Sequence, residues 1–194
     1  MDFSEDPVIE AVHDTVRRVY EVEIAPKIAA YEASGDFPYE IIQAMGDAGL
    51  FGAAFPEEMG GTALGFAAVG TIAEEISRLS PGFGYAMNMQ AMTCPFTILN
   101  WGTPEQAQHF VPELISGRKI GMFALTEPGG GSDPGGAMRT VAKRDGDSYV
   151  LNGSKIWITF SNAADVGVLF AKTDPDAGKR GISAFIVEPK KTPG

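Results

Sequence analysis

The sequence predicts an α+β protein, with an all-α region over residues 1–118 followed by an antiparallel β-region over residues 119–194. Three observations predict it. Apolar residues recur every three or four positions as far as Gly117 and every second position after it. The pairs Asp145-Gly146 and Asn152-Gly153 punctuate the second half as hairpin signals. No strand pattern alternates with a helical one, so βαβ units are excluded.

The helical half divides at its breakers. Ser4 is a candidate N-cap, and Val8, Val12, Val16 and Val19 line one face of the helix that follows. Pro26 is expected to kink or end it. Pro38 opens a second helix with Ile41, Ile42 and Met45 on one side, and Gly49 is its C-terminal cap. A glycine-rich loop from Met59 to Gly65 leads to a third, with Phe66, Val69, Ile72, Ile76 and Leu79 as an amphipathic stripe. Ser80-Pro81-Gly82 ends that one. Residues 83–101 are apolar nearly all round, which predicts a central buried helix. Thr103-Pro104-Glu105-Gln106 has the spacing of a capping box, and Gly117 closes the last helix. Six strands are expected beyond it, over residues 120–125, 138–143, 148–151, 155–159, 166–172 and 182–188.

Composition narrows the function. The 194 residues are 44% hydrophobic and 21% charged, as in an ordinary folded protein. A net charge of −10 with basic residues only in scattered pairs argues against nucleic acid. Cys94 is the single cysteine, which precludes an internal disulfide and fits a buried small hydrophobe in a reducing compartment. His13 and His109 lie far apart without ligand spacing, so no metal site is expected. The N-terminus lacks an apolar signal region and no run is long enough to span a bilayer, so membrane insertion is not expected and a cytoplasmic location is.

The chemistry concentrates in one loop, Leu125-Thr126-Glu127-Pro128-Gly129-Gly130-Gly131-Ser132-Asp133, and in Trp157-Ile158-Thr159 after it. A Walker A loop needs a lysine after its glycines, and none is present. A dinucleotide fingerprint needs glycine where Pro134 stands and a helix after the loop, which is not expected. What remains is a backbone that a flat ligand can approach closely. Main-chain N–H groups of Leu125 and Thr126 with the Thr126 hydroxyl suit the polar edge of an isoalloxazine. Trp157 offers a rigid surface, and the Thr159 hydroxyl lies on the same strand face within reach of ring N5. The alternative is a loop whose glycines only satisfy turns, with Trp157 in the core. Glu127 reads as a turn or surface carboxylate.

These segments, with Leu151-Asn152-Gly153-Ser154-Lys155-Ile156 ahead of Trp157, resemble the signature of the acyl-CoA dehydrogenase family. Phe55 to Gly61 and Gly181 to Glu188 are similar to further family landmarks, and the likeness covers essentially the whole chain. The glutaryl-CoA and alicyclic acyl-CoA dehydrogenase-like branch is the nearest in pattern. The resemblance implies a helical N-terminal domain, a middle β-barrel that is incomplete here, and a C-terminal four-helix domain outside this chain. It implies that Phe123, Leu125, Thr126, Gly131, Ser132, Trp157, Ile158 and Thr159 line FAD, with Ser132 also touching the acyl-CoA thioester. It places the catalytic glutamate in the C-terminal domain, so no catalytic residue is expected in this chain, which by itself should bind FAD weakly and not turn over. Electron-transfer flavoprotein is the implied acceptor, and a homo-oligomer, dimer or tetramer, the implied assembly. Gly84 stands where the glutaryl-reading branch has an arginine, and a buried carboxylate without a cation is costly. An uncharged short, branched or alicyclic acyl group is therefore expected, with Gly84, Met87 and Met92 at its pocket. The alternatives are a flavin-dependent oxidase or monooxygenase on the same scaffold and a non-catalytic assembly subunit.

Overall fold

The computed structural model describes residues 6–192, which fall into two compact units meeting between Ile120 and Gly121. The first unit is helical and the second is built on one sheet, so the α+β class holds.

Helix α1 (Pro7–Val19) starts at Asp6, whose side chain accepts the Val8 N–H, with Pro7 in the first turn where no N–H is needed. The expected cap Ser4 lies outside the described residues. Val12, Val16 and Val19 are buried, while Val8 at the open end is exposed. Pro26 does not end the run. A π-helical turn over Tyr20–Ile24 widens the helix ahead of it, and the Ala25 N–H bonds to the Tyr20 carbonyl five residues back. The chain then continues as α2 (Ala25–Ser34) with Pro26 in its first turn. Proline lacks an N–H and collides with the carbonyl four residues back, and the wider turn removes both problems.

The same device recurs in the central run. Helix α3 (Tyr39–Asp47), with Ile41, Ile42 and Met45 buried and Gly49 left-handed after its end, leads through a tight loop to α4 (Gly65–Leu79). Its buried stripe is Ala68, Val69, Ile72 and Ile76. Phe66 was expected in that stripe but is 59% exposed, its ring edge-on to Phe96 in the helix's first turn. Helix α5 (Pro81–Met87) follows after one residue, then a π-helical turn over Asn88–Thr93 ahead of Pro95, then α6 (Cys94–Trp101). Burial is not uniform along this stretch, since Asn88 and Asn100 face solvent and Trp101 is 86% exposed. Helix α7 (Pro104–Ile115) carries the predicted capping box between Thr103 and Gln106. Gln90, fully buried on the second π turn, donates from Nε2 to the Leu114 and Lys119 carbonyls and so satisfies the end of α7. Gly117 takes φ 72° against the Ile42 carbonyl, which a Cβ would meet at 2.6 Å.

The second unit departs from the sequence in three ways. Its strands are β1 (Gly121–Ala124), β2 (Val141–Asp145), β3 (Ser148–Asn152), β4 (Val166–Lys172) and β5 (Ile182–Val187). The expected strand over 155–159 is absent. Nor is the sheet purely antiparallel: β4 runs parallel to β1 and touches β2 in parallel at Val141–Lys172, while β2–β3 and β4–β5 are antiparallel. A parallel pair needs a long crossover, normally helical. Here the crossover from β1 to β4 is residues 125–165, the glycine loop with one short helical turn, the β2–β3 hairpin and the irregular segment after it. A barrel is not closed among the described residues, since β1, β3 and β5 each pair on one side only. The hairpin signal at Asp145-Gly146 is a two-residue turn, Gly146-Asp147, with Gly146 at φ 58°.

The first unit is clasped by one buried carboxylate. Glu75 on α4 accepts from Arg17 Nε of α1 at 2.7 Å and from Arg78 at 2.6 Å, with His13 Nδ1 at 3.5 Å. Hydrogen bonds from Arg78 and Arg17 outweigh burial and lower its pKa from 4.5 to about 2. A depressed carboxyl contributes stability above its unfolded pKa and loses it as pH falls toward the folded one. Acid unfolding of the wild type should therefore draw on Glu75 between about pH 4.5 and 2. Glu75→Gln, which removes the anionic partner of two half-exposed guanidinium groups, should cost about 1.5–3 kcal/mol at neutral pH and flatten that acid limb, as read by urea titration of circular dichroism at several pH values.

Candidate functional site

All the flavin-wall residues expected from the sequence belong to the second unit, and main-chain bonds bring their two segments together. Strand β1 ends at Ala124 with the Phe123 ring tilted against Phe170, centroids 5.1 Å apart. The chain then leaves the sheet through Leu125 and Thr126. The Thr126 carbonyl accepts the Ile156 N–H at 3.0 Å, so residue 126 sits one step from Trp157. Gly130 N–H returns to the Glu127 carbonyl at 3.1 Å and closes the glycine turn. Gly131 lies over the Thr126 methyl group, 3.6 Å from where its Cβ would be, and Ser132 is exposed. A single helical turn, α8 (Pro134–Ala137), follows, contrary to the expectation that none would. Asp133 caps it by accepting the Gly136 N–H and also holds Lys179 at 2.8 Å.

Trp157 is not on a strand. It has φ 59° and is 87% exposed, and Phe160 follows with φ 66°. Left-handed backbone at a bulky aromatic residue costs free energy and persists only where the surroundings impose it. The strict alternation of faces that would put Trp157 and Thr159 side by side therefore does not operate. What imposes the bend is the bond from Ile156 to Thr126 before it, with Ser161 N–H bonding back to the Ile158 carbonyl after it. The indole is held out from the surface at a fixed place, and Ile158 and Thr159 are half-buried behind it.

Glu127 overturns its reading as a surface carboxylate. It is 4% exposed and accepts from the Arg139 N–H, from the Thr140 N–H at 2.9 Å and from Lys155 Nζ at 2.8 Å. Lys155, with only 9% of its side chain exposed, also donates to the Leu125 carbonyl at 3.2 Å. Burial pushes the Glu127 carboxyl up, but donors on Lys155, Thr140 and Arg139 together hold it lower, at about 2. An ion so saturated is a poor proton acceptor, so it does not serve as a general base. Sequence reasoning missed Lys155 as well. The available signal was its place two residues before Trp157, together with an acidic residue in the facing loop.

The donor set suits a flat heteroaromatic group. An uncovered indole face stands next to a glycine-rich main chain, and no hydrogen bond among the described residues engages the hydroxyls of Thr126, Ser132 or Thr159. The pocket residues expected from the sequence lie in the first unit. Met87 is fully buried and Met92 half-buried. A Cβ on Gly84 would meet Ser77 Oγ at 2.1 Å and Ser77 Cβ at 3.1 Å, so a side chain there would require the Ser77 hydroxyl to turn away. No described group of His, Cys, Asp and Glu is arranged to hold a metal ion, and no described helix is long and apolar enough to cross a membrane.

Comparison with known proteins agrees with the likeness read from the motifs. Residues 7–118 match the model of the acyl-CoA dehydrogenase N-terminal domain, and residues 122–194 that of the acyl-CoA dehydrogenase middle domain. The glutaryl-CoA dehydrogenase of Desulfococcus multivorans is 39% identical over 197 residues, which is 100% of this chain and 50% of that protein. A solved glutaryl-coenzyme A dehydrogenase in complex with glutaryl-CoA superposes with a TM-score of 0.94 at 38% identity, over 100% of this chain and 50% of the other. A glutaryl-CoA dehydrogenase from Mycobacterium smegmatis solved with FADH2 gives 0.88 at 33% identity, covering 98% and 47%. The chain thus spans about half the length of the relatives it matches.

The close approach of Gly153 to Thr140 tests how the site is braced. A Cβ at Gly153 would lie 2.3 Å from Thr140 Oγ1 and 2.6 Å from its Cα, so main chain would have to move. Gly153→Ala should cost about 1–3 kcal/mol. It should also shift the emission maximum of Trp157, measured in a Trp101→Phe background, because the Thr140 N–H is a Glu127 ligand.

Proposed function

The chain belongs to the acyl-CoA dehydrogenase family, and we propose that it forms the FAD- and acyl-CoA-binding portion of an enzyme that α,β-dehydrogenates acyl-CoA thioesters. The observation that carries this reading is the bond from Ile156 N–H to the Thr126 carbonyl, which sets the exposed indole of Trp157 beside the glycine loop. FAD, when bound, supplies the hydride acceptor at N5. This chain's residues bind and orient. Trp157 offers a flat apolar surface to the ring, and the loop backbone at Leu125 and Thr126 offers N–H donors to its polar edge. The free hydroxyls of Thr126 and Thr159 are donors suited to an edge that gains negative charge during reduction. Phe123, Gly131 and Ile158 complete the wall, and Ser132, exposed at the end of the loop, faces the thioester side of the ligand. Glu127 is not proposed as the proton acceptor, since it is already committed to three donors.

The substrate we propose is an uncharged short, branched or alicyclic acyl-CoA. Gly84, pressed on Ser77, leaves no side chain to carry a cation at that point, and an unpaired carboxylate there would be costly to bury. Met87 and Met92 supply soft apolar surface. Electron-transfer flavoprotein is the proposed acceptor. A homo-oligomer is the proposed assembly, supported by the single-sided pairing of β1, β3 and β5.

Titration of the protein with FAD tests the reading. At equilibrium the flavin bands at about 370 and 450 nm should be perturbed saturably by the protein, with weak affinity. Trp157→Ala should weaken binding by about 1–3 kcal/mol, the usual worth of stacking on an aromatic side chain, and leave the fold intact because the indole is exposed. Equal affinity in wild type and variant would remove Trp157 from the wall.

A further inference from the structure

One carboxylate links three separate stretches of the second unit. Glu127, just after Thr126, takes N–H groups from Arg139 and Thr140 ahead of β2 and the ammonium of Lys155, two residues before Trp157. Lys155 also caps the Leu125 carbonyl, and Ile156 bonds to Thr126. Trp157 is 87% exposed, whereas the Glu127 side chain is 4% exposed and that of Lys155 9%. Yet each is joined, within one or two residues, to a side of the slot. The ammonium at once neutralises the Glu127 charge and grips the carbonyl next to Thr126. A main-chain hydrogen bond by itself leaves the direction of Trp157 dependent on a strained left-handed residue, and a second link fixes it.

We propose that Glu127 and Lys155 are positioning residues that set the spacing and orientation of Thr126 and Trp157 as the two sides of the flavin slot. This rests on the function proposed above. Four properties separate positioning from a plain role in holding the fold. Lys155→Met leaves a buried carboxylate without its cation and lowers the unfolding temperature. The double variant Glu127→Gln/Lys155→Met has no unpaired charge, and its amide oxygen keeps one of the two main-chain donors from Arg139 and Thr140, so the unfolding temperature recovers in part. Affinity for FAD does not recover with it, and stays about tenfold weaker than in wild type because the link to the Leu125 carbonyl is gone. Lys155→Arg keeps the charge and restores part of the affinity.

The experiment is FAD titration and thermal unfolding of wild type, both single variants and the double variant of the full chain. Recovered stability with weak flavin binding supports the proposal. Recovery of both together overturns it, and so does a double variant that does not fold, because the pair would then be a fold anchor only. If the wild type itself takes up no FAD, the proposed function fails and the positioning claim is decided separately. Trp157 is then the single emitter in a Trp101→Phe background, and its anisotropy should drop in the folded double variant. Unchanged anisotropy would refute positioning.

Discussion

The second unit depends on a charge that has been taken out of water. An isolated carboxylate buried as deeply as Glu127 would simply take up a proton. It remains ionised because two main-chain N–H groups and one ammonium occupy its oxygens, and those donors come from parts of the chain that no regular strand pairing would bring together. The loop after β1, the entry to β2 and the segment before Trp157 are therefore specified by a polar contact rather than by apolar packing. This is the condition under which a buried ion contributes specificity, since any rearrangement leaves an uncompensated charge. The glycines around it have complementary work: Gly153 lets main chain approach Thr140, and Gly130 comes within reach of the Ala137 methyl.

The helical unit uses the same principle at a different place. Glu75 is buried between α1 and α4 and is neutralised by Arg17 and Arg78, two arginines whose own stems remain half-exposed. Among the described residues each unit thus carries one nearly inaccessible carboxylate, held anionic by donors of which at least one comes from a separate segment. Both would fail in acid for the same reason, although the elements they clasp are unrelated.

Proline shows how local covalent constraint is absorbed without breaking tertiary continuity. Pro26 and Pro95 both sit in the first turn after a π-helical stretch, so the missing donor and the steric conflict fall where the helix is already wide. In the central run the widened turn also presents Gln90 inward, where its amide satisfies the end of α7.

The sequence by itself determined the order of helices, the capping box at Thr103, the hairpin signalled at Asp145-Gly146, though not the one signalled at Asn152-Gly153, and the loop that carries the chemistry, because these follow from spacing and from residues with narrow backbone preferences. It also carried the family likeness, since the motif from Phe123 to Asp133 is a contiguous string. Tertiary structure alone decided the rest. The parallel pairing of β1 with β4 joins residues some forty positions apart, and nothing local encodes it. The segment 155–159 has the alternation of a strand but bends at Trp157, because its hydrogen bonds go to a loop rather than to a neighbouring strand. Glu127 looked like a surface charge because its three donors are 12, 13 and 28 residues away. Periodicity reports which face an element buries; it does not report which distant polar group a buried charge will find.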